Sequence, residues 1–126
     1  NDAYNSNPES ATAAIKWLHM VFEDKKKLFI FLGDMLELGQ QSLQMHNEVL
    51  SLTIKLFPDS KIITVGPLMA ETAATIKHNN IISFTSSDEA AIFAKSNLKK
   101  GNAAFIKGSR GMAMEKIEKI FEENNL

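Results

Sequence analysis

Residues 28–33 read LFIFLG, apolar at every position, with none of the in-and-out alternation of a strand that has one wet face. Such a strand has to be buried on both sides, as in the middle of a parallel sheet covered by helices. The rest of the chain supports the same architecture. Short apolar or β-branched runs, namely DAY at 2–4, LFIFLG, KIITV at 61–65, IISF at 81–84 and AAFIK at 103–107, alternate with five stretches of helical period. That alternation predicts a three-layer, Rossmann-like α/β domain over residues 1–126, a mostly parallel sheet of five strands with helices on both faces.

The helices announce themselves locally. Asn7 is placed to cap the first and Pro8 to occupy its first position, and Ala11, Ala14, Ile15, Leu18 and Phe22 fall three and four apart on one face. Residues 39–57 read as a second helix, with Leu43, Val49, Leu52, Ile54 and Leu56 as its apolar set and Pro58 beyond its end. Residues 68–77 form a short third, and 88–97 a fourth, capped by Ser86 or Ser87. Residues 112–123 form the last, turning Met114, Ile117, Ile120 and Phe121 inward.

Composition narrows the function classes. With 44% hydrophobic residues and a formal net charge of -1, the chain can build a core and has no electrostatic footprint for nucleic acid or an acidic membrane. The basic run Lys25, Lys26, Lys27 reads as a solvated turn before a strand. There is no cysteine, so disulfides and thiolate metal sites are excluded, and a cytoplasmic location is expected. No apolar stretch approaches the ~20 residues that span a bilayer. The chain opens on Asn1, with the chemistry-rich stretch NDAYNSNP at its edge, which suggests a piece of something longer.

Open parallel sheets bind ligands at the carboxyl ends of their strands, so the loops that follow strands carry the functional expectations. KGSRG at 107–111 sets Lys107, Ser109 and Arg110 among two glycines before a helix start, a pattern suited to an anion: backbone N–H groups, a point charge and a planar fork. It lacks the spacing of a phosphate loop. GDMLELG at 33–39 offers Asp34 and Glu37, either as ligands for a magnesium ion, a hydroxyl or an amine, or as acids that favour a helix start. DAYNSNP is dense in hydrogen-bonding groups; Asn7 has a capping duty, while Asp2, Tyr4 and Asn5 have none visible. No two histidines have the spacing of a helical zinc motif; His19 and His78 read as structural, and His46 stays open.

Together, DAYNSNPES at 2–10, LGDMLELG at 32–39, HNEV at 46–49 and IKGSRGMAME at 106–115 closely resemble the C-terminal domain of the Mur ligases, in family order and across essentially the whole chain. The likeness is greatest to the branch that adds D-alanyl-D-alanine to UDP-N-acetylmuramoyl-tripeptide. It implies the third domain of an ATP-dependent amide-bond ligase of peptidoglycan synthesis, whose UDP-sugar and central ATPase domains lie outside this chain. The resemblance assigns Asp2, Tyr4 and Asn5 to ATP, and Asn7, Lys107, Ser109 and Arg110 to the incoming dipeptide. Mg2+ would be held mainly by the central domain, and no catalytic or metal residue is assigned here. Ser6 departs from the alanine common in related sequences.

Two other readings compete. A stand-alone receiver domain would also have five strands, with an acid such as Asp34 and a lysine such as Lys107 at strand ends, but KIITVGP lacks the aspartate such a domain phosphorylates on its third strand. A purely partner-binding domain is the other, motivated by the absence of a complete catalytic set.

Overall fold

The computed structural model describes residues 6–123. Among them is one sheet of parallel strands, β1 (Leu28–Gly33), β2 (Lys61–Val65), β3 (Ile81–Phe84) and β4 (Ala103–Lys107), in the order β3-β2-β1-β4. The DAY segment expected as a further strand lies outside the described residues.

β1 is central, as its unbroken apolar run requires. Phe29 pairs with Lys61 on one side and Ala104 on the other, and all six β1 residues are buried. Leu28, Ile30 and Leu32 face a core with Ile15 of α1 (Pro8–Val21), Leu50 of α2 (Ser42–Leu56) and Met69 of α3 (Pro67–Ile76). Phe29 and Phe31 face a second core with Ala90 and Ala94 of α4 (Ser87–Asn97) and Ile117 of α5 (Glu115–Glu123). At roughly 1.5–3 kcal/mol per buried large apolar side chain, β1 contributes on the order of 10 kcal/mol before entropy is counted. The loop that leaves β1 therefore starts from the most firmly held strand of the sheet.

The caps follow the local chemistry. Asn7 Oδ1 accepts the Ser10 N–H at 2.8 Å and Ser10 Oγ accepts the Asn7 N–H at 3.1 Å, a reciprocal capping box with Pro8 just inside it. Ser86, not Ser87, caps α4. The lysine run is a single 3-10 turn, with Lys25 Nζ donating to the Phe22 carbonyl at 2.9 Å and an exposed Lys27–Asp24 pair at 3.7 Å.

Three expectations need correction. The second helix begins at Ser42, after a separate 3-10 turn at Gly39–Gln41, and it exposes Leu43 while burying Leu50. The third is Pro67–Ile76, ended by Lys77 in the left-handed conformation at φ 56. The last helix begins at Glu115 rather than Met112: Arg110–Met112 is a 3-10 turn, and Ala113 at φ 52 breaks the continuation. Met114 is fully buried all the same, because the break turns it down onto the sheet between Gly33 and Gly108.

Candidate functional site

From β1 the chain steps outward through β2 to β3 and then returns to lay β4 on the other side of β1. The loops after β1 and β4 consequently part company, and the gap between them is where an open parallel sheet holds ligands. A cleft of about 270 Å3 opens there, lined by Ser6, Leu36, Glu37, Ser109, Arg110 and Gly111. All three chemistry-rich loops contribute to it.

The loop after β1 is pinned at three successive residues. Asp34 is buried, and its carboxylate accepts the N–H groups of Met69 at 2.7 Å and Leu68 at 3.0 Å, capping α3 from 34 and 35 residues away. Burial pushes the Asp34 carboxyl above its ordinary pKa, an effect partly offset by the N–H groups of Met69 and Leu68. Gly66 makes room for it: a Cβ there would meet the carboxylate within 2.4–2.6 Å, at a φ of +113. Next, the Met35 N–H donates to His46 Nε2 at 2.9 Å, which requires the proton on Nδ1, donated to the Ser42 carbonyl at 2.7 Å. The Leu36 N–H then donates to Ser109 Oγ at 2.9 Å.

Ser109 is the knot of the site. Its N–H donates to the Asp34 carbonyl at 3.1 Å, and its hydroxyl donates to the Ser6 carbonyl at 3.2 Å while accepting from Leu36. One side chain thus joins the entry to α1, the β1 loop and the β4 loop. Ser6 takes part through its backbone, so its departure from alanine is immaterial to the bond. Gly108 lets the two loops close, since a Cβ there would lie 3.1 Å from the Gly33 Cα and 2.8 Å from Met114 Cγ.

The sequence-derived site residues are thus sorted. Arg110 and Ser109 line the cleft; Arg110 is exposed, whereas Ser109 is buried and its hydroxyl is engaged within the protein. Lys107, expected as a charge offered from the loop, is buried at the end of β4 beside Leu32 and does not line the cleft. Asn7 does not line it either, because its side-chain oxygen is spent on the cap. Asp2, Tyr4 and Asn5 lie outside the described residues. The helix N-terminus expected after KGSRG is replaced by a three-residue turn, so no helix dipole serves an anion there. Of the two acids after β1, Asp34 caps a helix, though α3 rather than its own, and Glu37 is exposed on the cleft. His46, open in the sequence, is a buried strut between the Ser42 carbonyl and the Met35 N–H, and no local signal in the sequence points to Met35.

Among the described residues no three His, Asp or Glu side chains gather into a metal cage. Asp34 is spent on α3, so the described residues of these loops do not fit a Mg2+ site of their own. A larger hollow of about 530 Å3 lies between α2 and α3, but it takes in no residue of the three strand-end loops. The smaller cleft has the charged groups and the topological position, and it is the candidate site. No described helix is long and apolar enough to cross a membrane.

The chain is similar to known proteins over nearly its whole length. The family model described as "Mur ligase, glutamate ligase domain" matches residues 1–110. The UDP-N-acetylmuramoyl-tripeptide–D-alanyl-D-alanine ligase of Bacillus subtilis is 35% identical over 132 aligned residues, which take in 100% of this chain and 28% of that protein. The crystal structure of MurF ligase from Thermotoga maritima in complex with ADP superimposes with a TM-score of 0.71 at 27% identity, over 98% of this chain and 27% of that one. A crystal structure of MurF from Acinetobacter baumannii gives 0.78 at 28% identity, over 97% of this chain and 26% of that one. The chain therefore spans little more than a quarter of these relatives, and in that span it resembles the C-terminal domain of MurF. It belongs to the Mur ligase, glutamate ligase domain family.

Proposed function

We propose that the chain is the third, closing domain of a longer ATP-dependent ligase that joins D-alanyl-D-alanine to UDP-N-acetylmuramoyl-tripeptide in peptidoglycan synthesis. In this reading the tripeptide carboxyl is activated as an acyl phosphate, with ATP as donor and ADP released, and the dipeptide amine attacks the acyl carbon, forming the amide and expelling inorganic phosphate. The UDP-sugar, the ATP phosphates and Mg2+ are held by the UDP-sugar and central domains of the longer protein. Those domains are also this domain's partners, and nucleic acid and membrane are not. A cytoplasmic location belongs to the same reading.

The observation that carries it is Arg110, an exposed guanidinium on a cleft at the switch point between β1 and β4. Its side chain makes no hydrogen bond or ion pair with another described residue, so its fork is available to the dipeptide carboxylate. Ser109 positions that fork by tying the loops that carry it, and Leu36 supplies an apolar wall that sheds water when the domain closes. Asp2, Tyr4 and Asn5, which precede the cleft residue Ser6, are assigned to the nucleotide. Lys107 acts as a buried charge under the β4 loop, and Asn7 keeps only its amide N–H donors for substrate. A receiver function is not favoured: Asp34, its candidate acid, is spent capping α3.

Steady-state kinetics of the full-length protein test the proposal. Arg110→Ala should raise the KM for D-alanyl-D-alanine by roughly tenfold or more, as expected for loss of a hydrogen-bonded charge contact, while the KM for ATP moves little. Unchanged dipeptide KM and kcat would remove Arg110 from the site.

A further inference from the structure

Among the described residues Glu37 is the one acid lining the cleft, and its backbone sits in the left-handed region at φ 64. A non-glycine residue there is strained, and such residues persist where the surroundings impose them, often around ligand sites. Here the cause is visible: Asp34, Met35 and Leu36 are fixed in turn to α3, His46 and Ser109, so the chain reaches Glu37 with its direction already set. Ala113, just beyond the turn that carries Arg110, is also left-handed, at φ 52. The side chain of Glu37 makes no hydrogen bond or ion pair with another described residue, and neither does that of Arg110. The cleft therefore presents one negative and one positive group, both exposed and neither satisfied by the other.

Resting on the ligase reading above, we infer that Glu37 receives the ammonium end of the incoming dipeptide while Arg110 receives its carboxylate. The ligand chemistry fits. A free α-amino group with a pKa of about 7.7–8.0 arrives mostly as ammonium at neutral pH. Two residues of extended chain span at most about 7 Å, so the opposite charges of a dipeptide fall within one small cleft. The 270 Å3 available is room for on the order of nine water volumes. Glu37 is in this view a recognition residue that selects a free N-terminus and aims it; Arg110 alone would accept any small carboxylate of suitable size.

The test uses the full-length ligase, with D-alanyl-D-alanine as substrate and N-acetyl-D-alanyl-D-alanine, which has no ammonium, as competitive inhibitor. Glu37→Gln should raise the dipeptide KM by about tenfold, the range of a charge-assisted hydrogen bond. The inhibition constant of the acetylated dipeptide and the KM for ATP should stay within twofold. Glu37→Gly, which relieves the backbone strain, should weaken the dipeptide equally while the protein melts no earlier than the wild type, separating the carboxylate from the loop's shape. A dipeptide KM within twofold of wild type in Glu37→Gln, or parallel weakening of the acetylated dipeptide, overturns this inference and leaves the ligase reading standing. A wild-type protein that performs no ATP-dependent ligation of the dipeptide overturns both.

Discussion

Leu36 and Ser109 lie 73 residues apart in the chain, and the Leu36 N–H donates to Ser109 Oγ at 2.9 Å. The bond spans the gap between the loops after β1 and β4, and the same hydroxyl donates to the Ser6 carbonyl. The site thus has a covalently distant but mechanically single wall. Ser109→Ala would leave a partly buried N–H and a buried carbonyl unpaired, at a cost of about 1–3 kcal/mol. Urea unfolding should show a lower midpoint with an unchanged slope. In the full-length protein the dipeptide KM should rise although Ser109 need not touch substrate. A midpoint equal to the wild type's would show that the three loops are held by something else.

Gly66 and Asp34 make a second long-range pair. Gly66 sits at φ +113, and a Cβ there would lie 2.4–2.6 Å from the Asp34 carboxylate. Gly66→Ala therefore meets both backbone strain and a collision with a buried charge that caps α3. The expected loss is at least about 2 kcal/mol, read by denaturant unfolding. A loss under about 0.5 kcal/mol would mean that the start of α3 can shift without consequence.

These two pairs also mark where legibility ends. The central strand, the two-sided core and the Asn7–Pro8 cap could be read directly, because periodicity and capping are local signals written within a few residues. The residues at the cleft could be narrowed to three loops by strand-end logic, and Arg110 and Glu37 do line it. The partners were not legible. Asp34 was a plausible cap in sequence, but for the helix that follows it, and nothing local points to Met69 and Leu68 beyond the next strand. Lys107 looked like a loop charge because a lysine ending a strand reads the same whether buried or exposed. The late start of α5 was hidden because Ala113 takes a left-handed turn without the glycine that would have announced it. DAY, expected as a strand, lies outside the described residues.

His46 should prove structural, and its test is a contrast between two substitutions. It is fully buried, and Nε2 accepts from Met35. His46→Phe keeps most of the volume and loses the acceptor, so its cost should be about 1–3 kcal/mol from the unpaired Met35 N–H. His46→Ala adds a cavity and should cost about 3–5 kcal/mol in total. A His46→Phe loss near zero beside a full His46→Ala loss would indicate that volume alone matters and that the Met35 bond carries nothing.

Asp34 gives the domain a pH dependence of unusual sign for a carboxylate. Its folded pKa lies above the ordinary 3.8, chiefly through burial and against the opposing effect of the Met69 and Leu68 N–H groups. In the window between 3.8 and the raised value, the folded state binds more protons than the unfolded one. The unfolding free energy contributed by this group must then fall as pH rises through that window. The contribution is fully present below the unfolded pKa, declines through the window and is constant above the folded pKa. Other carboxylates contribute their own acid dependence, so the comparison is the wild type against Asp34→Asn, which cannot titrate at this position. The stability of the wild type relative to Asp34→Asn should be greatest at the acid end, should decrease toward neutral pH, and should then level off. A relative stability that instead increased with pH would show that the two N–H donors outweigh burial and that the Asp34 carboxyl is an ordinary ionised cap.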